Sequence, residues 1–284
     1  MNFTKSTAEL FIPDGRPEDE ALSRTTHMGV GAHQDDLEIM AYDGILKCFG
    51  RDKDWFCGVT VTNGAGSPRD GLYAHYTDED MRRIRRVEQK KAAIVGEYGA
   101  MAFLDYTSAE VKDPKNQSTV EDLKALFLRT KPKAVYTHNL ADKHDTHVSV
   151  ALRTIQALRG LPEDQRPSQL LGCEVWRDVD WMTDTDKVAL DVSAHENLAA
   201  ALVGLFDSQI AGGKRYDIAT MGRRRANATY FASHGVDQAQ LLIYAMDMTP
   251  LLKDVKRDVA GYVQEYIDRF AKEVSARLNK HGSC

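Results

Sequence analysis

Residues 26–38 of the chain read THMGVGAHQDDLE, and this stretch decides the fold. Its first half, residues 26–32, is a short apolar run rich in small residues, which is typical of a buried strand. The polar residues from His33 to Asp36 follow directly, and apolar residues at helical spacing then extend from Leu37 to Cys48. We therefore expect a strand, a tight turn that carries polar side chains, and a helix.

The same alternation continues on the C-terminal side of this unit. Strands are predicted over residues 55–62, 100–104 and 132–137, and helices over residues 78–96, 118–129 and 148–159. Ser118, followed three residues later by Glu121, predicts a capping box at the start of one helix. Alternating strands and helices indicate parallel βαβ units. The expected fold is α/β, a Rossmann-like open and mostly parallel sheet with helices on both faces.

The remainder of the chain is assigned to the same single domain, residues 1–284. Residues 1 to about 25 are polar and predict an irregular N-terminal arm. Strands are predicted over residues 188–192 and 241–245 and a helix over residues 194–207. A long amphipathic helix is predicted over about residues 250–278, with Thr249 as its cap and Pro250 at its first position. That helix could pack on the core of the domain or make contacts between subunits of a homo-oligomer.

Charge and composition exclude several classes of function. The formal net charge of the chain is −5. Proteins that bind nucleic acids or anionic membranes do so through clustered Lys and Arg side chains. The basic run over residues 82–86 has acidic neighbours and is interpreted as a largely solvated helix face. No apolar stretch approaches the roughly 18 residues of a membrane span. We therefore expect neither a nucleic acid nor a membrane as partner.

The cysteines and the first residues indicate the compartment. Cys48, Cys57, Cys173 and Cys284 are scattered without Cys-x-x-Cys spacing, which suits reduced thiols better than disulfides or a cysteine zinc site. Residues 1–14 lack the basic and apolar regions of a signal peptide. The expected localisation is the cytoplasm.

Candidate site residues stand where the predicted strands end. His33 follows the first strand, Asp105 the third and His138 the fourth. His144 and His147 then open the next helix. Because ligands bind outside the carboxyl ends of the strands in open parallel sheets, we expect a site at this edge.

Two of these segments could hold a metal ion together. A hydrolytic zinc site takes three protein ligands, such as two imidazoles and one carboxylate, and keeps an open position for water. His33 and Asp36 lie three residues apart on a tight turn, and His147 could complete the set. Asp35 would then be free as the general base for metal-assisted hydrolysis. His144, one turn before His147, would face the same cavity and, when protonated, stabilise an oxyanion and protonate the departing amine.

The same motifs have other interpretations. Aspartates are common at helix starts because they favour the positive end of the helix dipole, and an isolated His-x-x-His is a weak motif. Gly29-Val30-Gly31 could begin a dinucleotide-binding loop, but the third glycine is missing and Asp35 and Asp36 would stand where a pyrophosphate lies. A non-catalytic sugar-binding protein on the same fold is a further alternative, because fold does not determine function.

Together these residues resemble the LmbE-like, or PIG-L, family of N-deacetylases. The hallmark of that family is a His-Pro-Asp-Asp segment after the first strand, paired with a distal His-x-x-His. The matching stretches here are residues 32–38 and 138–147. Further similarities are Thr62-Asn63-Gly64, Arg85-Arg86-Val87-Glu88 and Leu104-Asp105, so that the resemblance covers about residues 27–160.

The resemblance implies a zinc-dependent enzyme that hydrolyses the N-acetyl amide of an N-acetylglucosamine-type sugar to acetate and a free amine. Another small N-acyl substrate is the alternative. His33, Asp36 and His147 would be the zinc ligands, Asp35 the base and His144 the acid or electrostatic helper. The expected substrate-binding residues are Arg85, Asp105, His138 and Asp142, with Arg86 as the neighbouring candidate for the arginine.

Three positions depart from the family pattern. Gln34 replaces the usual proline of the first motif, and Asp207 stands where many relatives carry a histidine. A tyrosine-acid pair near the last strand is not recognisable between Tyr230 and Tyr244. These changes leave the expected metal ligands intact and concern the substrate pocket.

Overall fold

The computed structural model describes residues 1–282 of the chain. The strands are β1 (Glu9–Phe11), β2 (His27–Gly31), β3 (Phe56–Thr62), β4 (Ala100–Tyr106), β5 (Ala134–His138), β6 (Gln169–Cys173), β7 (Lys187–Asp191) and β8 (Leu242–Asp247). The α-helices are α1 (Glu18–Ser23), α2 (Asp36–Met40), α3 (Tyr42–Cys48), α4 (Asp78–Val95), α5 (Ser108–Lys112), α6 (Ser118–Thr130), α7 (Asp145–Arg159), α8 (Glu196–Gly204), α9 (Asp207–Ile210), α10 (Tyr216–Tyr230), α11 (Pro250–Lys253) and α12 (Val259–His281). Short 3-10 turns lie at Gly71–Tyr73 and Glu163–Gln165.

All eight strands form one sheet in the order β1-β4-β3-β2-β5-β6-β8-β7. The central five, β4, β3, β2, β5 and β6, pair in parallel with their neighbours. Antiparallel pairs complete the sheet: β1 with β4 at one edge, and β8 with β6 and β7 at the other. The predicted open and mostly parallel α/β sheet is confirmed.

Helices cover both faces of the sheet because alternate residues of each strand are apolar on both sides. Met28 and Val30 of β2 join one buried cluster, to which α6, α7 and α12 contribute side chains. Phe56 and Tyr136 belong to the second cluster, which includes side chains of α2, α3 and α8. The two clusters are the two halves of the core, separated by the sheet.

Two glycines of β2 let α2 approach the sheet closely. A Cβ atom on Gly29 would lie 2.8 Å from the ring of Phe56 and 2.9 Å from Leu37, and one on Gly31 would lie 3.0 Å from the Cβ of Asp36. The glycines therefore serve helix packing beside the site. This packing explains the Gly-x-Gly pattern without a dinucleotide.

The N-terminal arm is more regular than expected. Residues 9–11 add an edge strand to β4, and residues 18–23 form a helix. The prediction of an irregular arm over residues 1–25 is wrong in this respect, because β1 obtains its backbone partners from a strand about 90 residues away, which no local pattern reveals.

Two predicted helices are each divided in the structure. Residues 37–48 belong to two helices, α2 and α3. At the end of α2, the carbonyl groups of Glu38 and Ile39 accept hydrogen bonds from the buried Arg224 at 2.7 and 3.1 Å. Residues 250–278 form the short α11 and the long α12, which begins after its N-cap Asp258. In both cases a side chain satisfies the backbone groups that a helix end leaves free.

The predicted capping box at Ser118 is wrong. Gln117 is the N-cap of α6 and makes no side-chain cap, while the N–H of Ser118 donates to Asn116. Capping boxes occur instead at Thr77 with Asp80 and at the start of α5.

Three cysteines, Cys48, Cys57 and Cys173, are buried free thiols. Cys284 lies outside the described residues. Among residues 1–282, no helix combines the length and the apolar character that crossing a bilayer requires.

The close contact of α2 with β2 can be tested with Gly29→Ala. The added methyl group overlaps Phe56 and Leu37, so the free energy of unfolding should fall by about 1–3 kcal/mol, measured by urea denaturation. The control is Gly222→Ala in α10, where nothing lies within 4 Å of the added Cβ. That variant should gain up to about 1 kcal/mol from helix propensity. Equal stability of the two variants would contradict the tight packing.

Candidate metal centre

The candidate site lies at the carboxyl end of the sheet, between β2 and β5. These strands are parallel neighbours, so the segments that follow them start at the same edge. His33, Asp35 and Asp36 form the turn from β2 into α2. His144 and His147 lie at the start of α7, after β5. The structure thus brings the two predicted metal motifs together.

Three side chains converge on one point. The Nδ1 atom of His33 lies 3.2 Å from the Nε2 atom of His147. The carboxylate of Asp36 lies 3.5 Å from each, through Oδ2 to His33 and through Oδ1 to His147. A tetrahedral ion with bonds of about 2.0–2.1 Å places its ligand atoms about 3.3–3.4 Å apart, and the observed separations fit that requirement.

The protonation of these side chains also suits a metal. Burial lowers the pKa of His33 and lowers that of His147 to about 3, so both imidazoles are neutral near pH 7. Neutral imidazole and carboxylate are the forms in which these side chains bind metals. His33, Asp36 and His147 are therefore suited to hold a divalent ion such as zinc.

A second group of side chains, His138, Asp142 and His147, also lies within ligand distance. All three are buried, whereas His33 is partly exposed and lines a cavity. A hydrolytic metal site needs an open position, so the group that contains His33 is the better candidate.

His138 lies beneath the candidate metal ligands. Its Nε2 atom accepts a hydrogen bond from the N–H of Ala32 at 2.9 Å and lies 3.4 Å from Asp36. The side chain has no exposed surface. This placement is incompatible with the expected contact between His138 and a substrate, and it makes His138 a support for the turn after β2.

Asp142 lies behind His147. One carboxylate oxygen is 3.6 Å from the Nδ1 atom of His147 and also accepts the N–H of Trp176 at 3.1 Å. The other oxygen accepts the N–H of His144 at 2.9 Å. Because the carboxylate faces Nδ1, the Nε2 atom of the same ring points toward the ligand cluster. Asp142 is placed to orient His147 and not to bind substrate as expected.

Asp35 has an unusual backbone conformation. Its φ angle is +91°, in the left-handed region that non-glycine residues rarely adopt. The backbone N–H of Asp35 donates to the side chain of Gln89 at 3.3 Å. The guanidinium of Arg85 donates to the carbonyl of Gln34 at 2.5 Å and to the carboxylate of Asp35 at 3.4 Å. Burial raises the pKa of Asp35, and Arg85 opposes this effect. The carboxylate lines the cavity beside the ligands without joining them.

Arg85 lies beside Asp35, and nearly all of its surface is buried against protein groups. It also donates to Ser67. Arg86, the alternative candidate, donates to Thr7 and Asp105 on another surface. Of the two arginines, Arg85 therefore lies beside Asp35 and lines the cavity, whereas Arg86 does not.

Asp105 is not placed at the cavity. Its two oxygens accept hydrogen bonds from Thr7, Arg82 and Arg86, which use the acceptor capacity of a carboxylate. The expected role of Asp105 in binding sugar hydroxyls is incompatible with these contacts. It anchors the N-terminal arm to α4.

His144 borders the cavity. The centroid of its ring lies 4.5 Å from the ring centroid of His147 and 5.1 Å from that of His33. The ring centroid of Trp176 is 6.3 Å away. The ring is partly exposed and lines two cavities that His33 also lines. His144 is therefore placed to contact a bound molecule.

The cavity over the ligands has a volume of about 260 Å³ and is lined partly by residues that sequence reasoning missed. They come mainly from the second half of the chain: Ile39, Ser67, Pro68, Val175, Trp176, Gln209, Lys214 and Tyr216. Such a mixture of apolar surface and a few polar groups is typical of small-molecule sites. No short motif marks these residues, because they come from separate loops and helices.

Comparison with known proteins agrees with this geometry. Residues 28–158 match the family model of PIG-L, described as GlcNAc-PI de-N-acetylase. The chain carries a PIG-L region. The expected resemblance is thereby confirmed, and both metal motifs lie inside the matched region. No curated protein sequence matches the chain significantly.

Several solved structures share the fold of this chain. N,N'-diacetylchitobiose deacetylase from Pyrococcus horikoshii has a TM-score of 0.62 and 13% identity, over 87% of this chain and 92% of that one. A deacetylase of teicoplanin biosynthesis has a TM-score of 0.54 and 13% identity, over 78% and 98%. GalB, the 4-carboxy-2-hydroxymuconate hydratase from Pseudomonas putida, has a TM-score of 0.60 and 17% identity, over 79% and 95%. These likenesses establish the fold.

The ligand assignment can be tested by metal titration. His33→Ala removes one of the three ligands and should abolish stoichiometric zinc binding, measured by calorimetry after chelation. Asp142→Asn should keep the site but weaken zinc affinity by about 10–100-fold, because the orienting carboxylate is lost. Asp105→Asn is the control and should bind zinc with unchanged affinity. Full zinc affinity in His33→Ala would refute the assignment.

Proposed function

We propose that this PIG-L chain is a metal-dependent N-deacetylase that hydrolyses the N-acetyl amide of an N-acetylglucosamine-type sugar or glycoconjugate. One observation carries the proposal: His33, Asp36 and His147 meet at ligand distance, while the carboxylate of Asp35 lines the same cavity and stays outside the ligand set. A ligand triad with a spare carboxylate is what metal-assisted amide hydrolysis requires.

His33, Asp36 and His147 would hold the ion, and zinc suits two imidazoles and one carboxylate. When bound, the ion supplies Lewis-acid chemistry for attack of water on the amide. The residues of the chain supply the remaining functions. They hold the amide in the cavity, move a proton and stabilise negative charge.

Asp35 accepts a proton from the attacking water as the water oxygen bonds to the acetyl carbon. The raised pKa that burial gives its carboxyl group suits a proton acceptor that must later release the proton. Arg85 fixes the carboxylate, and Gln89 holds the backbone N–H. The C–N bond then breaks, the amine leaves with the transferred proton, and acetate is the second product.

His144 would face the carbonyl oxygen from the rim of the cavity. A hydrogen bond donated by its ring would stabilise the negative charge that develops on that oxygen. Trp176 and Tyr216 offer aromatic surface, and Ser67 and Gln209 offer polar groups to a sugar ring.

The comparisons support the substrate class. The matched family is described as a GlcNAc-PI de-N-acetylase, and several of the similar structures are named deacetylases, including one that acts on N,N'-diacetylchitobiose. Another similar structure is a zinc-inhibited form of teicoplanin deacetylase, so a protein of this fold binds zinc, and in that protein zinc inhibits.

The proposal can be tested with Asp35→Asn, which keeps the shape of the side chain. This variant should retain zinc at unchanged stoichiometry and lose about 10²–10⁴-fold in kcat for acetate release, because the general base is removed. The assay would use N-acetylglucosamine and N,N'-diacetylchitobiose beside non-sugar N-acyl compounds.

The matched control is Asp207→Asn, since Asp207 is a carboxylate that accepts from Tyr73 and is absent from the cavity lining over the ligands. Its turnover should remain within a few-fold of the wild type. Wild-type turnover by Asp35→Asn would exclude Asp35 as the base. Release of amine only from non-sugar compounds would overturn the proposed substrate class.

A further inference from the structure

The long helix α12 is held against the domain by its first turns. Tyr262 and Tyr266 are buried in the core, and Arg269 donates to Asp186 at 2.7 Å. In residues 270–281, which complete the helix, every residue except one is exposed. Residues 270–281 form a projecting segment, which continues α12 beyond its contacts with the domain.

An apolar stripe runs along the projecting segment and the turn before it. It consists of Ile267, Phe270, Val274 and Leu278, which are 42%, 36%, 38% and 66% exposed. Because these residues follow one another at intervals of three or four, they lie on one face of the helix. At about 3.6 residues per turn, this face is about a quarter-turn away from that of the two buried tyrosines.

The rest of the described chain leaves this stripe uncovered. A groove of about 350 Å³ beside Leu278 is lined, among residues 1–282, by the end of α12 and its C-cap alone. A helical segment as short as the projecting one is marginally stable by itself in water, and helices gain most of their stability by packing an apolar face. Burial of Phe270, Val274 and Leu278 against another apolar surface would supply that stability. The stripe is therefore suited to association.

The side chains beside the stripe indicate what it binds. Glu273 and Arg277, four residues apart, flank the stripe on one side and pair with each other at 2.7 Å. Ala271 and Ser275 flank it on the other side and carry no charge. When two copies of a helix pack antiparallel about a twofold axis, each flank meets the same flank of the other copy. Glu273 of one copy then approaches Arg277 of the second, and the contact occurs twice.

A parallel pair of helices lacks this complementarity. In that arrangement, the flank of Glu273 and Arg277 would face the uncharged flank of the other copy. The antiparallel register that brings Glu273 opposite Arg277 is centred on residue 275, midway between them. It places Val274 beside Leu278 of the second copy and limits the overlap to about residues 269–281. The overlap thus coincides with the projecting segment, and the turns of α12 that contact the domain lie outside it.

We propose that the apolar stripe of α12 binds the same stripe of a second copy of this chain, with the two projecting segments antiparallel. Phe270, Val274 and Leu278 form the centre of the contact, and Glu273 and Arg277 pair across its rim. A contact between two segments of this length is small, so the dimer is weak and depends on concentration. The inference is independent of the proposed deacetylase function.

Sedimentation of the full chain tests the contact. Between about 1 and 500 µM, the average mass should rise from 31.8 kDa towards twice that value, with a dissociation constant of about 10–100 µM. Val274→Glu with Leu278→Glu places charges in the centre of the contact and should weaken association by at least about 30-fold. The far-UV circular dichroism and Tm of this double variant should stay close to those of the wild type, because both side chains are exposed in the monomer.

The matched control is Ile94→Glu with Val95→Glu. These two apolar residues of α4 are 56% and 40% exposed, and the variant should associate like the wild type. A wild type that stays monomeric at 500 µM, or a Val274→Glu and Leu278→Glu variant that associates as strongly as the wild type, would overturn the proposal. Vesicles of phosphatidylcholine and phosphatidylserine form a further arm. Binding to them by a chain that stays monomeric would assign the stripe to a membrane and refute self-association.

Charge reversal tests the antiparallel arrangement. Glu273→Arg and Arg277→Glu each place like charges at both rim contacts, and each should weaken self-association by about 5–10-fold. An equimolar mixture of the two variants should regain wild-type association as a heterodimer, because every contact between copies then joins opposite charges. Each reversal changes the net charge of −5 by two, so both variants stay negative and have no overall attraction.

The mixture also separates contacts between copies from those within one helix. In each single variant the pair formed by residues 273 and 277 of the same helix carries like charges, and mixing cannot repair it. A mixture that associates no better than the single variants would therefore exclude the antiparallel contact. Acetate release, measured on the same samples, tests the deacetylase function separately: its absence would leave a dimer that behaves as described unaffected.

Discussion

The candidate site depends on the parallel pairing of β2 with β5. His27 lies opposite Ala134 and Gly29 opposite Tyr136, so the two strands end at the same edge of the sheet. His33 and Asp36 follow β2, whereas His147 lies on the helix after β5. A slip of one residue in this register would turn the side chains of a strand to its other face. The geometry of the candidate metal ligands is therefore a property of the sheet and not of either loop alone.

The backbone at Asp35 imposes a second constraint. A non-glycine residue in a left-handed conformation costs about 1–3 kcal/mol, and surrounding contacts must offset this cost. Here Arg85 and Gln89, one turn apart on α4, hold the carbonyl of Gln34 and the N–H of Asp35. Gln89 is itself bound to the buried Glu38, which accepts from its amide at 2.7 Å. The result is a carboxylate held beside the ligand cluster but outside it.

The fold leaves the reaction open, because similar structures include two named deacetylases and one named hydratase. The chemistry must therefore come from individual side chains. The PIG-L match ends at residue 158, whereas Trp176, Gln209, Lys214 and Tyr216 of the cavity wall lie beyond it. The candidate metal ligands thus belong to the matched region, and the surface that would select the substrate belongs mostly to the rest of the chain.

The amino-acid sequence alone determined the alternation of strands and helices, and with it the open parallel sheet and the edge where a site would form. It also indicated His33, Asp36 and His147, because residues of ligand type follow two strands at short spacing. These features depend on residues close together in the chain, so the hydrophobic periodicity and the turn residues of the sequence indicate them.

Only the tertiary structure decided what surrounds that cluster. Asp142, His138 and Asp105 have residue types that suit substrate binding, yet their contacts place two of them behind the ligands and the third against the N-terminal arm. The edge strand β1 and the cavity wall around Trp176 depend on partners far away in the chain. The direction of a side chain and its neighbours follow from long-range packing and register, which a one-dimensional pattern of residue types does not contain.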